Sequence, residues 1–433
     1  MTAPPGPRHD AIGIGLLGFG TVGVGAYRML ADNRDAIVRK IGREFEVVRI
    51  GIRDPSKPRI ADASLLTTEL EQVVDDPRVS IVVEVMGGLD PAGPLIERAL
   101  RNGKHVVTAN KELLAKHGAS LINLAAQQGL DLHFEAAVGG GIPLIQPLRH
   151  QLSGNDVLKM MGILNGTTNY ILTKMAEEGR ELEDVLAEAQ RLGYAEADPT
   201  SDVDGYDAQY KLAVLASLAY AKEVPVEGVF REGIRGVSKR DMQFADVLGY
   251  RIKLVGVVEA LPGDRILARV HPTLLKKDHP LARVDDVYNA LWLRGDFVGD
   301  VMFTGRGAGA EATGSAIVGD LMDVCRNIHL GGAGNSVPLE GVAQLAPIAE
   351  TKTRYFVRLV IQDRPKALGC IATVFGNCNV SLAAMEMRGL ERGLGEIVFL
   401  THECRESAIQ LALKAMRNIH IVENVCSVLR VEH

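Results

Sequence analysis

An apolar run, AIGIGLL at 11–17, passes directly into GFGTVG and then into a stretch whose apolar residues recur at helical intervals, GAYRMLADNRDAIVRKI. Gly18, Gly20 and Gly23 have G-x-G-x-x-G spacing in the strand-to-helix setting that a dinucleotide fingerprint requires. Small residues there let main chain approach a pyrophosphate, and the helix N-terminus beyond favours its charge. Glycines in a tight turn also have a plainer reading, so the following elements decide. FEVVRIGIRD (45–54), SIVVEVMGG (80–88), KHVVTAN (104–110) and LDLHFEAAVGG (130–140) are strand-like, with helical stretches near 91–102 and 111–128. This alternation predicts an α/β domain over 11–150, with a parallel sheet covered on both faces and right-handed crossovers.

The end of the second strand bears on which dinucleotide binds. A carboxylate there suits the ribose hydroxyls of NAD, and a cation suits the 2′-phosphate of NADP. The strand ends Arg53-Asp54 and Lys57 follows, so both signals are present. The two cations tilt the reading to NADP, with NAD and a plain solvated loop as the alternatives.

A chain of 433 residues needs two or three cores. Beyond residue 150, VLKMMGILNG (157–166) is an apolar strand, and helical stretches follow near 168–178, 182–192 and 206–222. RIKLVGVVEA, RILARVHPTLL, NALWLRGD and DVMFTGRG then alternate like antiparallel strands, giving an α+β domain over 151–304. The Gly-rich and then helical 305–330 is expected to return to the first domain, and 331–352 to act as a linker. The tail, 353–433, reads β-α-β-β-α-β, for which a ferredoxin-like arrangement is natural. Residues 1–10 read as a loose tail and not as a signal peptide.

A net charge of −6 gives no bias towards nucleic acid or anionic membrane, and no run reaches the length of a membrane span. Five cysteines without a C-x-x-C pair suit a reducing cytoplasm and argue against a zinc site. The partner is therefore expected to be a small molecule.

GYAEADPTSDVDGYDAQYK (193–211) crowds Glu196, Asp198, Asp202, Asp204 and Asp207 at the start of an apolar helix. Acids at a helix N-terminus meet unsatisfied N–H groups and the positive end of the dipole. Asp204 fits an N-cap with Asp207 in a capping-box position, and Asp198 before Pro199 fits a turn. That leaves Glu196 and Asp202 unexplained, and Lys211 one turn beyond Asp207 on the same face. His117, His133 and His150 stand apart from one another without ligand spacing.

The chain resembles the homoserine dehydrogenases that carry a C-terminal ACT domain. Besides the fingerprint, the likeness rests on VEVMGG (83–88), KHVVTANKELLAKHG (104–118), FEAAVGGGIPLI (134–145), LNGTTNYIL (164–172) and the acidic stretch continued to 216. The resemblance implies NAD(P)-dependent interconversion of L-homoserine and L-aspartate 4-semialdehyde, in threonine, methionine and isoleucine biosynthesis. It places Lys111, Lys211 and Asp207 in the chemistry, and Glu196, Asp202, Asn165, Gly166 and Thr167 in substrate binding, with Glu196 on the ammonium. Thr21, Val22, Gly87, Thr108, Asn110, Lys111 and Gly309 join the fingerprint glycines, Arg53 and Lys57 at the cofactor. A sodium ion on main-chain oxygens near Glu135, Val138, Gly140 and Ile142 is implied too, against the plain reading of a tight turn. A homodimer or higher homo-oligomer is expected through the antiparallel sheet.

Two rival functions are weaker. A phosphorylating semialdehyde dehydrogenase needs a nucleophilic cysteine, and before the tail there is only Cys325, within an expected helix. A non-catalytic amino-acid sensor would not need both lysines and the acidic cluster. The sequence departs from the resemblance at one turn. ACT domains commonly carry D-x-P-G there, and this chain has Asp363-Arg364-Pro365-Lys366. The lysine is expected to resist the positive φ that glycine allows and to weaken feedback by threonine.

Overall fold

The computed structural model describes residues 11–332 and 334–432, so the tail expected at 1–10 lies outside the described residues. The chain forms two compact units. The first comprises residues up to 156, 213–226 and 305–343, and the second 157–212, 227–304 and 344–433.

The first unit is built on six strands: β1 (Ile12–Leu17), β2 (Phe45–Gly51), β3 (Leu66–Thr67), β4 (Ile81–Glu84), β5 (His105–Thr108) and β6 (Leu132–His133). They lie in the order β3-β2-β1-β4-β5-β6 and every pair is parallel, the doubly wound order that opens a crevice at the carboxyl ends of β1 and β4. Every residue of β1 is buried, as a strand covered on both faces must be. On one face Ile12, Ile14 and Leu16 pack with Leu30 of the helix Thr21–Asp32 and with Ile317 and Leu321 of the helix Ala310–Leu330.

The strand expected over 130–140 shrinks to the two residues of β6 and gives way to a 3₁₀ turn at Glu135–Ala137. The Glu135 carboxylate turns inward and accepts the main-chain N–H groups of Leu144, Ile145 and Gln146 at 2.5 to 2.8 Å, which an extended chain would not bring together. The segment expected as a linker is also laid down as structure. Asn335 donates its main-chain N–H to the buried Asp131 carboxylate (2.7 Å), and Ser336 receives that of Leu132 (2.9 Å). A buried carboxylate needs donors, and this segment supplies one of them.

The second unit has twelve strands in one mixed sheet: β7 (Val157–Ile163), β8 (Phe230–Arg231), β9 (Tyr250–Leu261), β10 (Arg265–Lys276), β11 (Tyr288–Gly295), β12 (Gly299–Arg306), β13 (Gln344–Leu345), β14 (Lys352–Gln362), β15 (Leu382–Gly389), β16 (Leu394–Thr401), β17 (Cys404–Arg405) and β18 (Val422–Glu432). Its main path runs β12-β11-β7-β9-β10-β18-β14-β16-β15. Within it the tail strands lie β18-β14-β16-β15, all antiparallel. The helices Ala367–Asn377 and Glu406–Met416 share a core with Tyr355, Val357, Leu359, Ile397 and Phe399 from one face of those strands.

The tail does not form a third compact unit. β18 pairs in parallel with β10, and Glu432 at its end meets Arg269, which is 1% exposed, and Lys159. Lys366 is also not as expected: it is exposed and adopts φ +73°, so the turn keeps the left-handed residue that a glycine would have supplied. Among the described residues no helix is long and apolar enough to cross a membrane.

Candidate active site

In the first unit, β1 ends at Gly18, whose φ of +103° suits only glycine. A Cβ on Gly23 would sit 2.5 Å from the Gly18 carbonyl oxygen, so the helix Thr21–Asp32 approaches the turn as closely as it does only because that side chain is missing. The N-terminus of this helix has neither a side-chain cap nor an acid in its first turn, leaving N–H groups and the dipole for an anion. Thr21 is exposed and Val22 half-buried there. A cleft of about 560 Å³ opens against this turn, with Gly18, Gly20, Arg53, Lys57, Arg59 and Gly87 in its walls. Turn, helix end and cleft together fit a dinucleotide.

Arg53 and Lys57 are both exposed at the end of β2. Asp54, the residue a ribose diol would use, is turned into its own loop, with its Oδ1 accepting Ser56 N–H (3.0 Å) and Ser56 Oγ–H (2.6 Å). Those two bonds hold its carboxyl below the ordinary range. Arg59 was not anticipated from the sequence. It donates to the carbonyl oxygens of Phe19 and Asp54.

Thr108 and Asn110, expected at the cofactor, are buried and occupied within the protein. Thr108 Oγ donates to Glu84 Oε2 (2.6 Å), while Glu84 Oε1 accepts the N–H groups of Met86 and Gly87. Asn110 caps the helix Lys111–Gln127 through Leu113 N–H and reaches Gly88 O (2.6 Å). They shape the loop after β4, and Glu84, which sequence reasoning passed over, links them to it. Lys111 is the first residue of that helix, immediately beyond β5. Gly309, at φ +119°, is the N-cap of the helix Ala310–Leu330.

In the second unit the acidic stretch divides. Asn165 caps the helix Gly166–Glu178 with Oδ1 on Thr168 N–H (2.8 Å), and its Nδ2 donates to both Asp202 Oδ1 (2.7 Å) and Asp207 Oδ2 (2.9 Å). Lys211 Nζ donates to Asp207 Oδ2 (2.7 Å) and to Leu164 O (2.8 Å). Asp207 and Lys211 are 3% and 9% exposed, so this is no solvated i,i+4 pair. Burial, and after it the Asp207 charge, push the Asp202 carboxyl up. Thr167 Oγ donates to Tyr194 O (2.7 Å) and adjoins Gly166 at the start of the capped helix.

Glu196 is not brought into the cluster. It is exposed, and its main-chain carbonyl accepts Gln190 Nε2 (3.0 Å). Asp204 is taken up by Arg235 (2.6 Å), and the helix starts at Tyr206, after Gly205 at φ +82°. Asp198 makes the expected turn, accepting Thr200 N–H (3.1 Å).

Gly139 and Gly140 both take positive φ, curling the chain between Val138 and Ile142. Val138 and Ile142 are buried. Among the described residues no group of three His, Cys, Asp or Glu side chains is arranged to hold a metal, so a cation here would depend on main-chain oxygens. His133 is not isolated: it lies between Asp131 and Asp320 at 3.6 Å from each. Cys325 is buried in the helix Ala310–Leu330, and burial pushes its thiol up to about 12, the reverse of what a nucleophile needs.

A family model described as the NAD binding domain of homoserine dehydrogenase matches residues 18–135, and one described as homoserine dehydrogenase matches 143–322. The homoserine dehydrogenase of Synechocystis sp. is 44% identical over 431 residues, spanning 96% of this chain and 99% of its own length. That of Bacillus subtilis is 40% identical over 428 residues, 98% of each. Among solved structures, a homoserine dehydrogenase from Thiobacillus denitrificans superposes with a TM-score of 0.92 at 40% identity, covering 98% of this chain and 99% of that one. A hyperthermophilic archaeal homoserine dehydrogenase in complex with NADPH superposes with a TM-score of 0.63 at 30% identity, covering 76% and 100%.

Proposed function

This chain belongs to the homoserine dehydrogenase family, and from that premise we propose which of its residues carry the oxidation of L-homoserine to L-aspartate 4-semialdehyde and which cofactor it prefers. A nicotinamide bound in the first unit supplies the hydride acceptor. The observation that carries the reading of the second unit is the buried Asn165–Asp202–Asp207–Lys211 cluster. Burying these charges is costly even when they are paired and hydrogen-bonded, and a functional site is where such a cost is retained.

As a neutral amine Lys211 has two N–H groups, which go to Asp207 and Leu164, and its lone pair is left for the substrate hydroxyl. Lys211 takes the hydroxyl proton as the carbon loses hydride, and returns it in the reverse direction. Asp207 aims that lysine, and Asp202, with Gly166 and Thr167 beside it, receives the polar end of the amino acid. Lys111 flanks the hydroxyl, and Glu196 reaches the ammonium only when its exposed loop turns inward. NADP is preferred over NAD, because Arg53 and Lys57 stand free to meet a 2′-phosphate while Asp54 is engaged by Ser56. The 138–142 turn holds a sodium ion on main-chain oxygens. In support of an ACT-like tail stand its strand order and its two helices on one face. Feedback by threonine is weak, since a long charged side chain occupies the turn at 366. The protein works in the cytoplasm as a homodimer or larger homo-oligomer.

Absorbance at the nicotinamide band, with homoserine and either NADP or NAD, tests this reading. Turnover with NADP at lower KM than with NAD is the expected result, and equal KM values would remove the cofactor preference.

A further inference from the structure

Arg59 ties together two loops that wall the nucleotide cleft. One guanidinium NH2 group donates to the carbonyl oxygen of Phe19, within the glycine-rich turn, and the other to that of Asp54, at the end of β2, each at 3.0 Å. The guanidinium carbon lies 5.9 Å from the centre of the Phe19 ring, which is itself buried and set edge-on against Tyr27. Arg59 Nε is buried and has no hydrogen-bond partner. Both guanidinium NH2 groups are thus tied to main chain, and the planar fork cannot splay, so the separation of the two carbonyls is fixed by the guanidinium itself.

Those loops serve different parts of a dinucleotide. The turn at Gly18–Gly20 faces the pyrophosphate, and the turn at 53–57 faces the adenosine ribose. We propose that Arg59 is a positioning residue for the cofactor, setting the distance between the pyrophosphate turn and the ribose turn and thereby governing affinity for NADP and NAD alike. The proposal rests on the reading of this cleft as the dinucleotide site. It separates Arg59 from Arg53 and Lys57, whose exposed charges act on the 2′-phosphate and hence on NADP alone. A lysine could not replace it, because a single ammonium presents no fixed fork to two carbonyls.

The test uses the full chain, with NADPH and NADH titrated by calorimetry into the parent, Arg59→Lys and Arg59→Gln, and thermal melts of each without nucleotide. Both variants are expected to weaken NADPH and NADH by a similar factor, about tenfold for the loss of one to two charge-assisted bonds. The same loss should appear in KM for both cofactors and not in kcat, with melting temperatures close to the parent's. Weakening of NADPH alone, restored by Arg59→Lys, would make Arg59 a phosphate ligand and overturn the proposal. Unchanged affinity for both nucleotides, or a loss matched by a collapse in melting temperature, would overturn it as well. Failure of the parent to bind either nucleotide would instead bring down the reading of the cleft.

Discussion

Replacing Asn165 with alanine removes four hydrogen bonds through one side chain: the cap on Thr168 N–H, the two donations to Asp202 and Asp207, and that of the Thr168 hydroxyl to Oδ1, which keeps the Asn165 main-chain carbonyl as acceptor and is left out of the sum. Loss of an N-cap costs about 1 kcal/mol. A hydrogen bond to a charged group is worth roughly 1.5–3 kcal/mol, and since water can enter the vacated space we take about 1 kcal/mol for each carboxylate. The sum is a destabilisation of about 3 kcal/mol, read by urea unfolding at neutral pH. A second effect is separable from it. The Asp202 carboxyl is already pushed up by burial and by Asp207, and the Asn165 amide works against that rise. With the amide gone the carboxyl rises further, so the acid limb of kcat/KM for homoserine moves to higher pH. Asn165→Ser keeps a capping oxygen and loses both amide donors. It should recover about 1 kcal/mol of stability and none of the pH shift. An alanine variant within about 0.5 kcal/mol of the parent, or an acid limb that stays in place, would refute the reasoning.

Lys211→Ala and Lys111→Ala should each lower kcat by at least about a hundredfold with the fold retained, the lower range for lost acid–base assistance, and near-normal turnover would remove that lysine from the chemistry. Neutralising Arg53 and Lys57 together should weaken NADP and leave NAD nearly untouched; equal losses would assign the cations to the pyrophosphate or the fold. Burial pushes the Glu432 carboxyl up, but Arg269 and Lys159 outweigh it and hold it at about 2. A depressed carboxyl stabilises above its unfolded value of about 4.3 and loses that contribution as pH falls through 2, so Glu432→Gln should cost about 3 kcal/mol at pH 7 and far less near pH 2. An equal cost at both pH values in urea unfolding would contradict this. Lys366→Gly relieves the φ of +73° and should stabilise by about 1 kcal/mol, seen as a raised melting temperature, and should strengthen inhibition when threonine is titrated into the assay.

What could be read in advance follows from the range of the interactions concerned. The doubly wound unit was legible because each of its signals is local: apolar runs bounded by glycine, helical spacing between them, and a fingerprint whose glycines serve their own turn. Lys211 and Asp207 were legible as a pair because one helical turn separates them. Asn165 lies 42 residues from Asp207, and from sequence it entered by resemblance only; no spacing rule would have made one amide bridge two acids on two other helices. Glu196 shows the converse, for it shares the acidic stretch yet stays in solvent. Thr108 and Asn110 stand at the crevice end of β5, the place where ligand contacts are expected, and are taken up by Glu84 and Gly88.

The 331–352 segment looked like a linker because glycine and proline mark irregular backbone, which says nothing about what that backbone bonds to. Its partner Asp131 lies some two hundred residues away. Arg59 escaped for the same reason, since its acceptors are main-chain oxygens and carry no residue identity. A cation that binds main chain can be found only once the loops it joins have been placed. The ribose turn did hold a usable local sign in Asp54-Pro55-Ser56, where a carboxylate two residues before a hydroxyl is prone to close on its own turn. Read that way, the acid at the end of β2 argues for the phosphorylated cofactor instead of against it.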